Sequence, residues 1–161
     1  MEENKISFLI NVLVYLERFE KQVMGYAYSY KCKSCGYEET FNQGNGYLIH
    51  PQSFQDYMDR NRKIFHYKVH RKILNLSKED NCLGIEASFR VYKCPKCNLL
   101  FDKTHVTVVS DGKILHTSRF RCSECSTGLK LTNIHRLKRA ICPVCRKRTF
   151  TRLSYRSNLF A

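Results

Sequence analysis

The 161-residue sequence predicts a small α+β protein, with two modules of short antiparallel strands, an N-terminal helix and a helix inserted in the middle. Three observations carry this reading. Eight of the nine cysteines fall into four Cys-x-x-Cys pairs. Stretches of alternating apolar residues run into several of those pairs, and two other stretches carry apolar residues at three- and four-residue steps. Hydrophobic residues make up 43% of the chain and aromatics 12%, too apolar for a wholly disordered polypeptide. Seven Gly and three Pro exclude collagen-like or linker-dominated character.

Residues 4–23 read as a helix, with Ile6, Leu9, Ile10, Leu13 and Leu16 on one stripe. Asn4 suits its start and Gly25 its stop. Val12, Val14, Tyr15 and Phe19 widen the apolar face, so this helix packs on a core, or docks a protein partner or second copy through residues 6–19. The apolar run over 6–16 is shorter than the ~20 residues that span a bilayer. It also lacks the basic start and small-residue end of a secretory signal. The expectation is a cytoplasmic chain with no membrane span and with reduced thiols.

Tyr26, Tyr28 and Tyr30 alternate as in a strand leading to the first cysteine pair; Gly36 supplies a left-handed turn, and residues 37–41 return. Residues 43–46 are a loop. Pro51 opens a helical stretch over 51–76, on which Phe54, Tyr57, Met58 and Phe65 keep helix spacing. Residues 87–93 alternate into the second pair. Residues 104–109 and 114–120 are strand-like, and Asp111-Gly112 between them is a strong hairpin signal. Residues 131–141 fit either a short helix or a strand, and 149–155 form a last strand. The expected organisation is 1–25 for the apolar helix, 26–110 for a first module with its helical insertion, and 111–161 for a second, strongly basic module.

The four pairs are Cys32/Cys35, Cys94/Cys97, Cys122/Cys125 and Cys142/Cys145. Two intervening residues let one tight turn aim both sulfurs at one ion, and two such turns complete a tetrahedral four-cysteine site with no open position. All eight cysteines are candidate ligands, for two Zn2+ ions. A disulfide framework is the alternative, and it requires an oxidising compartment. Neighbour pairing, first with second and third with fourth, is the preferred connectivity. A cross-braced arrangement of first with third and second with fourth also fits the spacing. Cys82 reads as a buried small hydrophobe.

Residues Tyr30 to Tyr37 (YKCKSCGY) resemble the first metal loop of rubredoxin-like and zinc-ribbon proteins. With Met24 and Tyr26 upstream, they are also similar to the N-terminal knuckle of FmdB-type zinc-ribbon regulators. Cys94-Pro95-Lys96-Cys97 and Cys142-Pro143-Val144-Cys145 resemble the second knuckle of the same class. The resemblance implies metal sites in a small β scaffold and a role around transcription, translation or nucleic-acid processing. Asn98 and Arg146 depart from it, standing where a rubredoxin-type second loop carries Gly.

The formal charge is +14, from 28 Lys+Arg against 14 Asp+Glu. Two zinc–tetrathiolate centres at −2 each bring this to about +10. The surplus is clustered: residues 60–72 hold six cations and no acid, and no Asp or Glu follows Glu124. Such a surface attracts phosphate backbones, with interleaved aromatics stacking on bases. DNA or RNA is the expected partner. Arg62, Lys63, Arg71, Arg139, Arg146, Lys147 and Arg148 are the candidate phosphate contacts, and Tyr67 and Phe150 the candidate stacking residues. The competing class is a protein–protein adaptor using the N-terminal helix and the basic surface. His66 and His70 lie at i, i+4 but have no third ligand nearby. No H-E-x-x-H, deaminase or P-loop motif occurs, so the reading is of a non-enzymatic protein.

Overall fold

The computed structural model describes residues 25–44, 52–59, 65–79, 82–153 and 159–160. The N-terminal helix read over 4–23 lies outside the described residues. The strands are β1 (Gly25–Cys32), β2 (Glu38–Gly44), β3 (Gln52–Ser53), β4 (Gly84–Lys93), β5 (Leu100–Ser110), β6 (Lys113–Thr117), β7 (Lys130–Leu131), β8 (Arg139–Ala140), β9 (Phe150–Arg152) and β10 (Leu159–Phe160). Two helices, α1 (Phe54–Asp59) and α2 (Tyr67–Leu76), lie between β3 and β4.

The strands form one antiparallel sheet in the order β6-β5-β4-β2-β1-β9-β8. Two long strands organise it. The edge of β4 away from β5 receives β3 at Ile85, β2 at Phe89 and β7 at Tyr92 and Lys93. The edge of β1 away from β2 receives β10 at Gly25 and Tyr26, and β9 from Tyr30 to Cys32. The Asp111-Gly112 hairpin forms as expected: φ is 47° at Asp111 and 73° at Gly112, the double left-handed turn that matches strand twist. Gly84 is required by close approach, since a Cβ there would sit 2.9 Å from Val109 Cγ2.

Among the described residues, the helical stretch expected over 51–76 holds two helices. Ser53 and Asp56 start the first with a reciprocal cap: Ser53 Oγ accepts from Asp56 N–H at 3.1 Å, and the carboxylate accepts from Ser53 N–H at 3.2 Å. His66 starts the second, accepting from Lys68 N–H. Tyr57, Phe65 and Ile73 then pack on Ile85, Ala87, Val106 and Val108, which alternate along β4 and β5 on one sheet face. The second core lies around Tyr30, Phe41, Val91, Ile134 and Phe150.

Residues 131–141 are mostly neither helix nor strand. Between β7 and β8 the chain makes a turn over 134–136 that buries Ile134 completely. Polar anchors hold it: Tyr30 OH donates to Leu137 O at 2.5 Å, and Arg152 donates to the carbonyls of Ile134 and His135. Cys82, expected to be buried, is exposed. Among the described residues no helix is long and apolar enough to cross a membrane.

Candidate metal centres and basic surface

All four cysteine pairs sit on the same backbone loop. The first cysteine's N–H donates to the carbonyl five residues on (Tyr37, Leu99, Thr127, Lys147) at 2.8–2.9 Å. Its own carbonyl accepts from the residue four on (Gly36, Asn98, Ser126, Arg146) at 2.9–3.0 Å. Closing that ring requires a left-handed residue after the second cysteine, and φ there is 76°, 58°, 56° and 59° respectively. The sequence departure at Asn98 and Arg146 therefore changes the residue and not the loop.

Strand pairing brings the loops together two by two. Cys32 stands opposite Phe150 in the β1–β9 register, and Lys33 N–H donates to Thr149 O at 3.0 Å. This seats the loop after β1 against the loop before β9. In the same way β4 pairs with β7, seating the loop after β4 against the loop that precedes β7. The groups are thus Cys32/Cys35/Cys142/Cys145 and Cys94/Cys97/Cys122/Cys125, each with its sulfurs within 4.8 Å of one another. This corrects both connectivities read from spacing. The first pair joins the fourth and the second joins the third, so one group is nested inside the other. A division at residue 110 runs through both groups.

The donor sets fit zinc. Tetrahedral thiolates at about 2.3 Å from zinc lie about 3.8 Å apart, and the sulfur separations between loops are 3.5 Å (Cys32–Cys145, Cys94–Cys125) and 3.6 Å (Cys35–Cys142). The ionisation balance says the same. Burial opposes ionisation of Cys32, but hydrogen bonds from Thr149 and from the backbone of Cys35 and Ser34 bring its pKa down to about 6. The Thr127 hydroxyl and backbone bring Cys125 to about 6 as well. In the second group a hydrogen bond to Cys125, then burial, pushes Cys97 up to about 12. In the first, the Tyr37 backbone favours a Cys35 thiolate, but burial and the neighbouring sulfurs raise it to about 12. Four thiolates in so small a volume need a divalent cation to coexist. Thr127 and Thr149, each 3.2 Å from a sulfur, orient the ligands from behind. Sequence reading missed both; the only signal was a threonine close after a cysteine pair.

The three-residue resemblance between the sites is also legible. Tyr30-Lys31-Cys32 and Tyr92-Lys93-Cys94 each end a long strand and enter a knuckle. Histidines take no part among the described residues. Instead His70 and His105 hold the hydroxyls of Tyr57 and Tyr92 at 2.5 and 2.6 Å, and His135 that of Tyr28.

A family model for the LIM domain matches residues 94–153. The LIM match spans three of the four knuckles and leaves out Cys32 and Cys35, which complete the outer group. The matching family is therefore LIM rather than the FmdB-type ribbons to which the first knuckle is similar. No curated protein and no solved structure matches the chain. LIM domains bind two zinc ions through closed sites, and the two four-cysteine groups supply that number. Zinc is the cofactor.

The candidate nucleic-acid contacts are scattered. Arg62 and Lys63 lie outside the described residues. Tyr67 is 57% exposed on α2, with the Arg71 guanidinium 5.7 Å from its ring centroid. Arg139, Lys147 and Arg148 are exposed around the fourth knuckle. Arg146 donates to Glu124 at 2.8 Å, tying the fourth knuckle to the third. Phe150, nominated for stacking, is 1% exposed and lies among Tyr30, Tyr37 and Phe41, with ring centroids 5.4–6.3 Å away. It cannot meet a base, because an inward-facing position on β9 belongs to the core.

Proposed function

We propose that the protein is a non-enzymatic, zinc-scaffolded module for binding other proteins. The observation that supports this best is the LIM match over residues 94–153, lying on closed four-cysteine groups whose first cysteines are buried. LIM domains are zinc-dependent protein-interaction modules. A tetrathiolate shell offers no site for a substrate or an activated water, so the metal's contribution is folding free energy. The adaptor reading of the sequence thus has more support than the nucleic-acid reading as a description of the whole chain.

The test is to identify a protein that co-purifies with the tagged full chain and to rebuild the complex from purified components. The expected complex forms with zinc-loaded protein carrying two metal ions per chain, and a Cys97→Ser variant loses it. If zinc-loaded chain forms no reconstituted complex with any co-purifying protein, the proposal fails.

A further inference from the structure

Between the first turn of α2, strand β5 and the segment entering the third knuckle lies a cleft of about 690 Å³. That volume is within the range of about 300–1,000 Å³ typical of ligand sites. Four cations from three elements line it: Lys68 on α2, Lys103 on β5, and Arg119 and Arg121 on the segment entering the knuckle. Phe65 and Phe120 supply its apolar wall. No acidic side chain lines it, and none of the four cations has a carboxylate partner among the described residues.

Three of the four cations have a partner on the protein. Arg121 Nη1 donates to Ser126 O at 3.0 Å, which anchors the guanidinium to the zinc knuckle and leaves other N–H groups for a ligand. The ammonium of Lys103 stands 5.7 Å from the Phe101 ring centroid, and that of Lys68 stands 6.0 Å from Tyr67. The first turn of α2 adds the positive end of its dipole.

We infer that this cleft binds a short stretch of single-stranded nucleic acid, its phosphates among the four cations and a base on the Tyr67 ring beside it. The exposed aromatic decides between anionic partners. His66 lines the cleft, and its ring is 4.5 Å from that of Tyr67, which is 57% exposed and has the Lys68 and Arg71 cations within 6.0 Å of its centroid. A planar ring among cations suits a base and its flanking phosphates, whereas an acidic peptide has no use for it. The inference does not depend on the protein-binding reading, since the cleft and a protein-docking face can coexist.

The test uses zinc-loaded full-length protein and a labelled 12-nucleotide oligo(dT) or oligo(U), with binding read by anisotropy at several salt concentrations. The Lys103→Glu/Arg119→Glu variant should weaken binding at least about tenfold at low salt. Losing two phosphate contacts should also lower the slope of log K against log salt by about 1.4. Tyr67→Ala should cost about tenfold. Lys147→Glu/Arg148→Glu makes the same charge change at the fourth knuckle and should cost under about threefold. Zinc content and melting temperature check that each variant is folded, and Lys103→Gln/Arg119→Gln replaces the reversal if it is not. Three results would overturn the inference: no binding at low salt, equal or greater loss in the knuckle variant, or tighter cleft-dependent binding of a Glu-rich 12-residue peptide.

Discussion

Truncating Phe150 to Ala distinguishes a core residue from a surface stacking platform. The side chain is 1% exposed, and its ring packs at 5.4 Å on Tyr30 and 5.9 Å on Tyr37, with Phe41 at 6.3 Å. Removing a fully buried Phe costs about 3–5 kcal/mol, the spread reflecting how far the cavity collapses. For a chain of this size about 1 kcal/mol moves the melting temperature by 2–4 °C, so the expected drop is roughly 6–20 °C. The loss should be uneven. Phe150 stands opposite Cys32 on β1 and Ala140 on β8, so it braces both loops of the outer group. A chelator competition followed by dye should therefore show one ion released early from Phe150→Ala and the other held as in wild type. A melting temperature within about 2 °C of wild type, together with weakened oligonucleotide binding, would return Phe150 to the surface role that its sequence context suggests and refute the packing argument.

Two further predictions concern the loops and the histidines. Ser126 has φ of 56°. A left-handed L residue costs about 1–2 kcal/mol, against about 0.5–1 for the extra freedom of glycine, so Ser126→Gly should stabilise by about 0.5–1 kcal/mol in a urea melt. Arg146→Gly should come out near zero, because it also breaks the exposed pair with Glu124, worth about 0.2–1 kcal/mol. Gly36→Ala should destabilise; equal signs for all three would show that φ does not govern these loops. His105 is half-buried beside Tyr92, and partial burial, then Arg90 and His116, lower its pKa. The unfolded chain therefore takes up the proton first. The contribution of His105 is complete above the unfolded value of about 6.5 and is lost as pH falls through the lower folded value. His105→Gln should flatten the acid side of the stability–pH curve relative to wild type, and parallel curves would exclude this origin.

Local signals are legible in the sequence because their physics is local. Asp111-Gly112 specifies a turn whatever surrounds it, and two residues between cysteines specify a knuckle. The alternation of Tyr26, Tyr28 and Tyr30 specifies a strand. What the sequence hides is decided at a distance. Ile134 and Leu137 carry helix-compatible spacing, yet the segment is a turn because Tyr30 and Arg152, from other strands, satisfy its carbonyls. The starts of α1 and α2 are signalled by Ser53-x-x-Asp56 and by His66, caps that apolar periodicity alone overlooks. Phe150 looks available for stacking because it follows a basic run; only the pairing of β9 with β1 and β8 turns it inward.

The cysteine connectivity departs from spacing for a deeper reason, and the departure explains the architecture. Spacing favours neighbours because short loops close cheaply, and the inner group obeys that rule, joining Cys97 to Cys122. The outer group joins Cys35 to Cys142, a loop about four times as long. The neighbour arrangement would close two somewhat shorter loops, Cys35 to Cys94 and Cys125 to Cys142, and since each doubling of loop length costs only about 0.6 kcal/mol, the penalty against it is about 1 kcal/mol. Antiparallel pairing of β9 along β1 and burial of Phe150 and Ile134 outweigh that readily. The inner module is thus an insertion that the outer one can tolerate: it starts from Tyr92-Lys93-Cys94 as the outer starts from Tyr30-Lys31-Cys32, and it docks by placing Gly44 of β2 beside Phe89 of β4. Asn42 N–H donates to Asp102 across that seam at 3.2 Å. The LIM match covers the inner module's cysteines whole but reaches only half of the outer group. Residues 25–44, outside the match, must therefore be present for the fourth knuckle to have its ligands, and a fragment limited to the matched residues would leave Cys142 and Cys145 without the other half of their shell.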